Sequence, residues 1–185
     1  MIKSVLRGFA LATAMSAVAF AAAKNPTVGG AAMFDSKNII ENAVNSKDHT
    51  TLVAAVKAAG LVATLEGKGP FTVFAPTNEA FAALPKGTVD TLLKPENKAT
   101  LTKVLTCHVV AADAMAKTVT KMIKDDGGEH DIKTVGGCVL KAKENMGKKI
   151  TLTDENGGVS HVTIADVKQS NGVIHVVDKV LLPKM

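Results

Sequence analysis

Residues 173–182 read Val-Ile-His-Val-Val-Asp-Lys-Val-Leu-Leu. Neither alternating face of that run is cleanly polar, so the pattern predicts a strand covered on both sides and placed centrally. Ser170-Asn171-Gly172 ahead of it is a turn signal, because Asn and Gly adopt positive φ at little steric cost. Pro183 closes the run. A second apolar, β-branched and aromatic run at 71–75 predicts another strand, ended by Pro76.

Between the N-terminal region and residue 123 the apolar positions recur at helical spacing. Ser36 is placed to cap a helix over 37–45, with Ile39, Ile40, Ala43 and Val44 inward. A helix from 48–51 to 59 carries Leu52, Val53, Val56 and Ala59 on one stripe and stops at Gly60. A short turn of helix follows over 61–65. Thr77 and Asn78 read as the cap of a helix over 78–84 that turns Ala80, Phe81 and Leu84 inward. Further helical segments are predicted over 89–93, 96–106 and 112–123, with a short strand over 107–110. From residue 130 the pattern changes. Residues 130–135, 138–143, 149–153 and 159–164 read as strands separated by Gly-containing turns. Helices come first and strands last, apart from the strand at 71, which is an α+β pattern.

The first residues stand apart from this domain. Lys3 and Arg7 precede an apolar run that ends in Ala21-Ala22-Ala23, the layout of a secretory signal. The expected organisation is a signal peptide over 1–23, a flexible leader over 24–35 marked by Asn25-Pro26 and Gly29-Gly30, and a folded domain over 36–185. The expected location is secreted or periplasmic. No later run approaches the roughly 20 apolar residues of a transmembrane span.

Charge and composition narrow the partners. The formal charge is +5, or +3 without Lys3 and Arg7, and the bases are interleaved with acids. With no Trp or Tyr to stack on bases, nucleic-acid binding has little support. The two cysteines, Cys107 and Cys138, are expected to be bridged in an exported protein; two buried thiols that never meet are the alternative.

Candidate chemistry is sparse. None of the five histidines pairs with another at the spacing of a preformed metal face. His108 and His175 lie in apolar strand segments and are read as internal hydrogen-bond partners, with Asp178 a candidate partner. Ser170 lacks a nucleophile elbow, and no phosphate-binding glycine motif is present. Cys107 and His108, as strand neighbours, would point to opposite faces and form no nucleophile–base pair. The carboxylates of Asp125-Asp126 and Asp154-Glu155 fall in turns, where solvated charge is the ordinary state. No enzyme, metal or cofactor is expected.

Three segments carry a family resemblance. Gly69-Pro-Phe-Thr-Val-Phe-Ala-Pro-Thr-Asn-Glu-Ala-Phe81 is similar to the first hallmark box of the fasciclin family, and Ser170-Asn-Gly-Val-Ile-His-Val-Val-Asp-Lys-Val-Leu-Leu-Pro183 to the second. Leu105-Thr-Cys-His-Val-Val110 between them resembles the family's Tyr-His segment, with Cys107 in place of Tyr. The resemblance runs from about 38 to 183. It implies a wedge of two packed β-sheets with helices against one side, and a structural role for Phe71, Pro76, Thr77, Asn78, Phe81, His175, Asp178 and Pro183. It also implies a non-catalytic adhesion or interaction role, its partner a cell-surface, matrix or envelope protein or polysaccharide. The family's Asp-Ile pair corresponds to Asp166-Val167. The expected adhesion surface is Asp166, Val167, Asn171 and Gly172, or the vicinity of His108. A carrier of a small apolar or lipid ligand is the alternative, permitted by the 46% hydrophobic composition.

Overall fold

The structure, a computed structural model, describes residues 25–184; the signal peptide expected over 1–23 lies outside them. In chain order the strands are β1 (Thr27–Val28), β2 (Ala31–Ala32), β3 (Phe71–Pro76), β4 (Val109–Val110), β5 (Glu129–Lys133), β6 (Val139–Glu144), β7 (Ile150–Thr153), β8 (Val159–Gln169) and β9 (Gly172–Val177). The helices are α1 (Ile39–Ala43), α2 (Thr50–Ala59), α3 (Val62–Leu65), α4 (Asn78–Ala82), α5 (Thr88–Leu92), α6 (Lys98–Thr106) and α7 (Ala116–Asp125).

Seven strands form one ladder in the order β4-β3-β9-β8-β7-β6-β5. The pairing of β3 with β9 is parallel, with Phe74 opposite His175, and the other pairings are antiparallel. The two sheets expected from the sequence are continuous through β8. Its first residues pair with β7 and the rest with β9, with irregular register at Val162/Ile164 and Ile164/Val167. Bulges of this kind bend a strand and raise its twist, so β8 turns the sheet back on itself. The ladder's ends then meet. Val135 N–H donates to Val109 O at 2.7 Å and Gly136 N–H to Thr106 O at 3.0 Å. A Cβ on Gly136 would lie 2.6 Å from Thr106 Oγ1, so only glycine fits this approach. Cys107 and Cys138 are bridged across the same seam, with Cα atoms 5.4 Å apart. The result is a near-closed barrel.

Both faces of the central strands are covered, as the two-sided apolar pattern of the second box predicts. Phe74 and Val177 face the barrel interior with Leu140 and Leu152, and α7 adds Val119 and Ile123. Val73, Ala75, Ile174 and Val176 face the other way, against Leu52, Val56 and Leu105 of the helical layer. The α+β class and the helices on one side of the sheet are as expected.

Several local expectations are corrected. Asn38, not Ser36, caps α1: its Oδ1 accepts from Glu41 N–H at 2.9 Å and Glu41 Oε2 accepts from Asn38 N–H at 2.8 Å, a reciprocal capping box. The leader is part of the domain from residue 27 onward. Gly29-Gly30 is the turn of a hairpin, β1–β2, whose ends are joined by Met33 N–H donating to Pro26 O at 2.8 Å, and Val28 and Met33 are 4% and 2% exposed. The final strand ends at Val177 rather than 182, because the N–H groups of Lys179, Leu181 and Leu182 are bound by side chains instead of a neighbouring strand. Leu181 N–H donates to His108 Nε2 at 2.9 Å and Leu182 N–H to Asp154 Oδ2 at 2.9 Å. Asp154 is therefore not a solvated turn carboxylate. It is buried, and its Oδ1 also accepts from Asn156 and Gly158 N–H, so the 154–158 turn clasps the last residues. Cys107 and His108 follow α6 as a turn, and the strand there is confined to Val109–Val110.

Candidate interaction site

The site is built on the β8 bulge. Asp166 adopts positive φ, 58°, which turns its backbone N–H toward His175 Nδ1 at 3.2 Å and its Oδ1 toward Ala116 N–H at 2.7 Å. Because Nδ1 accepts, the neutral ring carries its proton on Nε2, which donates to Ala114 O at 2.8 Å. Thr72, fully buried in β3, adds two more bonds: its hydroxyl donates to Ala112 O at 2.6 Å and accepts from Ala114 N–H at 2.8 Å. Side chains or backbone of β3, β8 and β9 thus hold the segment 112–116, a strap leading from β4 into α7. The carboxylate of Asp166 also places negative charge at the positive end of α7. The His175 ring stacks on Phe74, centroids 5.8 Å apart. Burial holds the His175 pKa below its ordinary value, against the opposing pull of Ala114 O, Asp166 and Asp113.

Next to the strap, Asn171 locks the turn before β9. Its Oδ1 accepts from Ile39 N–H at 3.1 Å, and its Nδ2 donates to Leu65 O at 2.7 Å and Gly67 O at 2.9 Å. One side chain therefore joins the start of α1, the end of α3 and the loop ahead of β3. At Gly172 a Cβ would sit 1.9 Å from Phe71 O, so the close parallel approach of β3 and β9 begins on a residue without one. Between the loop, the strap and the turn lies an open cleft of about 300 Å³, bordered by exposed Lys68, Pro70, Asp113, Lys168 and Ser170.

The residues expected to form an adhesion surface divide. Asp166 and Gly172 are partly exposed, and Gly172 lines the cleft. Val167 is 0%, His108 2% and Asn171 7% exposed, so these three are interior residues and present no side chain to a partner. Val167 packs in the helix-facing cluster. His108 Nε2 accepts from Leu181 N–H, so its Nδ1–H donates to Val104 O at 2.8 Å. Burial lowers its pKa to about 4, despite the opposing effects of Val104 O and Asp154.

Asp178 bonds neither His108 nor His175. Its Oδ2 lies 2.9 Å from His161 Nδ1, and its Oδ1 accepts from His161 N–H at 2.7 Å and Ser160 Oγ at 3.2 Å. Burial works to raise its pKa, but these His161 and Ser160 contacts outweigh it and hold the group below its ordinary value. Ser160, His161 and Asp178 do not make a nucleophilic triad. Ser160 is fully buried with its hydroxyl committed to Asp178 and the Lys179 backbone, and Ser160 and His161 face opposite sides of β8. The Thr77–Asn78 pair divides its work. Thr77 Oγ1 caps α4 by accepting from Ala80 N–H at 3.2 Å. Asn78 Oδ1 instead accepts from Thr51 N–H at 3.0 Å at the start of α2, and its Nδ2 donates to Lys47 O at 2.8 Å. Of the other motif residues, Pro76 and Pro183 are buried, Phe71 is half-buried at the head of β3, and Phe81 packs into the helical layer.

Two hubs were missed by the sequence reading, Thr72 and Asn42. Asn42 is 1% exposed and bonds Phe34 through both its amide groups and Gln169 through Nδ2. The available signal was the same in both cases: a single polar residue at an inward position of an apolar element, which must find a partner.

A bent, near-closed barrel with helices against its central parallel pair is the architecture of the fasciclin class. The comparisons agree. The Fasciclin domain profile matches residues 47–183. The chain is 46% identical over 188 aligned positions to Protein sll1483 of Synechocystis sp., covering 98% of this chain and 94% of that protein. It is 36% identical over 137 positions to Transforming growth factor-beta-induced protein ig-h3 of Sus scrofa, covering 71% of this chain but 17% of that longer protein. Among solved structures, a FAS1 domain pair from the insect cell adhesion molecule Fasciclin I superimposes with a TM-score of 0.70 at 18% identity, covering 79% of this chain and 51% of that one. The chain belongs to the fasciclin family. Among the described residues no helix is long and apolar enough to cross a membrane.

Proposed function

We propose that this protein is a non-catalytic, exported interaction module that binds a surface, matrix or envelope protein or polysaccharide through the cleft beside the β8 bulge. The observation that carries the reading is the combination of an open, polar cleft with a rigid frame. Lys68, Lys168 and Ser170 are exposed around it, while the residues that position them are tied down by Asn171, Thr72 and His175. Pre-ordered walls lower the ordering cost of association. Two lysines around one acidic residue favour a partner presenting carboxylate or sulfate groups, attracted over a distance set by ionic strength. The Lys-Arg n-region and Ala-x-Ala end of residues 1–23 support export.

The test is affinity capture from the native envelope and matrix with the chain beginning at Lys24, beside a Lys68→Glu/Lys168→Glu variant. The expected result is a partner retained by the parent chain, released by raised salt, and bound at least about tenfold more weakly by the variant. Capture of nothing, or equal capture by a variant of unchanged melting temperature, overturns the proposal.

A further inference from the structure

Phe34 is 39% exposed, and among the described residues it is the only exposed phenylalanine. Its main chain is fixed on both sides. Phe34 N–H donates to Asn42 Oδ1 at 3.0 Å, and Phe34 O accepts from Asn42 Nδ2 at 2.7 Å and from Lys37 N–H at 3.1 Å. The turn so formed brings Lys37 back over the ring, with Nζ 5.1 Å from its centroid. An exposed ring on an ordered turn offers a partner a flat apolar face, and little backbone freedom is left to lose on binding.

This turn is tied to the polar cleft at two points. Lys37 O accepts from Ser170 N–H at 2.9 Å, and Asn42 Nδ2 donates to Gln169 Oε1. Ser170 and Gln169 both line the cleft. Ring and cleft are thereby held in one frame, and Lys37 joins Lys68 and Lys168 beside it. Among the described residues these three lysines form no salt bridge. Asp35 and Asp113 are the exposed acids nearest in the chain to these groups, while Glu41 is committed to Asn38 N–H. At about 300 Å³ the cleft is at the lower end of ligand-sized spaces.

We propose that the partner of this surface is an acidic polysaccharide, with one sugar unit in the cleft, its carboxylate or sulfate on Lys68 and Lys168, and a neighbouring unit resting its C–H face on Phe34 beside Lys37. The inference rests on the cleft reading above and selects polysaccharide over protein. A sugar ring carries hydroxyls at its rim and C–H groups on its faces. Those hydrogens are slightly positive and meet the negative face of an aromatic ring. The hydroxyls both donate and accept, so they suit Ser170 and the Asp113 carboxylate as well as the lysines. A protein interface is built around a contiguous apolar centre. Here the exposed apolar groups, Phe34 and Pro70, are single and set among charges.

The probes are an alginate hexasaccharide, sulfated maltohexaose, plain maltohexaose and hexaglutamate, each titrated calorimetrically into the chain from Lys24 onward. The expected result is saturable binding of an acidic sugar, at least about tenfold tighter than hexaglutamate, with none by plain maltohexaose. Which acidic sugar binds tells carboxylate from sulfate. Phe34→Ala should weaken the acidic sugar at least about tenfold and leave hexaglutamate unchanged. Lys68→Glu/Lys168→Glu should weaken both. Binding of neither acidic sugar, equal binding of hexaglutamate or of plain maltohexaose, or equal sugar binding by Phe34→Ala at unchanged melting temperature overturns the polysaccharide assignment and leaves the cleft reading standing. Sugar binding that survives Lys68→Glu/Lys168→Glu overturns the cleft reading as well.

Discussion

Cys107 and Cys138 join the two ends of a seven-stranded ladder, so one covalent bond closes the sheet where its edge strands meet. Their sequence separation is 31 residues, and chain-entropy reasoning gives a cross-link of that loop length roughly 3–4 kcal/mol. Replacing both cysteines by serine should lower unfolding stability by about that amount in urea titrations. It should also increase aggregation near the midpoint, since an opened seam uncovers two strand edges.

Acid should destabilise the fold through its buried histidines. His108 has a pKa of about 4 in the fold against an ordinary 6.5, because burial opposes its charge. The unfolded chain therefore binds the extra proton between those values, and stability falls as pH drops from about 6.5 to about 4, then levels. The loss from His108 alone is about 3 kcal/mol. His49 and His175 are shifted in the same direction by burial and add to it. Urea midpoints between pH 7 and pH 4 check this. His108→Gln should start less stable at pH 7 and show a shallower slope.

Asn171→Ala should cost about 3 kcal/mol. It removes the acceptor for Ile39 N–H and the donors to Leu65 O and Gly67 O in one step, leaving buried backbone groups unpaired. Ser170→Ala, one residue earlier and exposed, should change stability by less than about 0.5 kcal/mol. The contrast, measured by denaturant unfolding, separates the turn's structural residue from its surface residue.

Gly172→Ala should be among the most damaging single substitutions, at about 3 kcal/mol or more, because its Cβ would meet backbone rather than a movable side chain. Thermal unfolding of the variant should show a melting temperature lower by at least about 5 °C.

Much of the architecture is legible because apolar periodicity is a property of each segment. The two-sided apolar run at 173–177, the strand at Phe71 and the stripe of α2 all report which faces are buried. What the pattern does not carry is pairing. Val173 and Thr72 look alike whether their strands run parallel or antiparallel, and nothing in 178–182 distinguishes a ladder from N–H groups captured by Asp154 and His108. The site was harder for a related reason. Asp166, Val167 and Asn171 are close in sequence, yet the bulge and the turn send one outward and two inward. Nor does the sequence show that the His175 ring serves the strap while the Asp178 carboxylate serves His161.

The parallel pairing of β3 with β9 sets the order of assembly. Phe71 lies opposite Gly172, and β9 separates β3 from β8, so the middle of the sheet is synthesised after everything it joins. Until Val177 has left the ribosome, β3 and β8 have no template between them and the helices have only half a surface to cover. Contacts of this span form slowly. The full seven-stranded ladder therefore cannot be completed until β9 has been made.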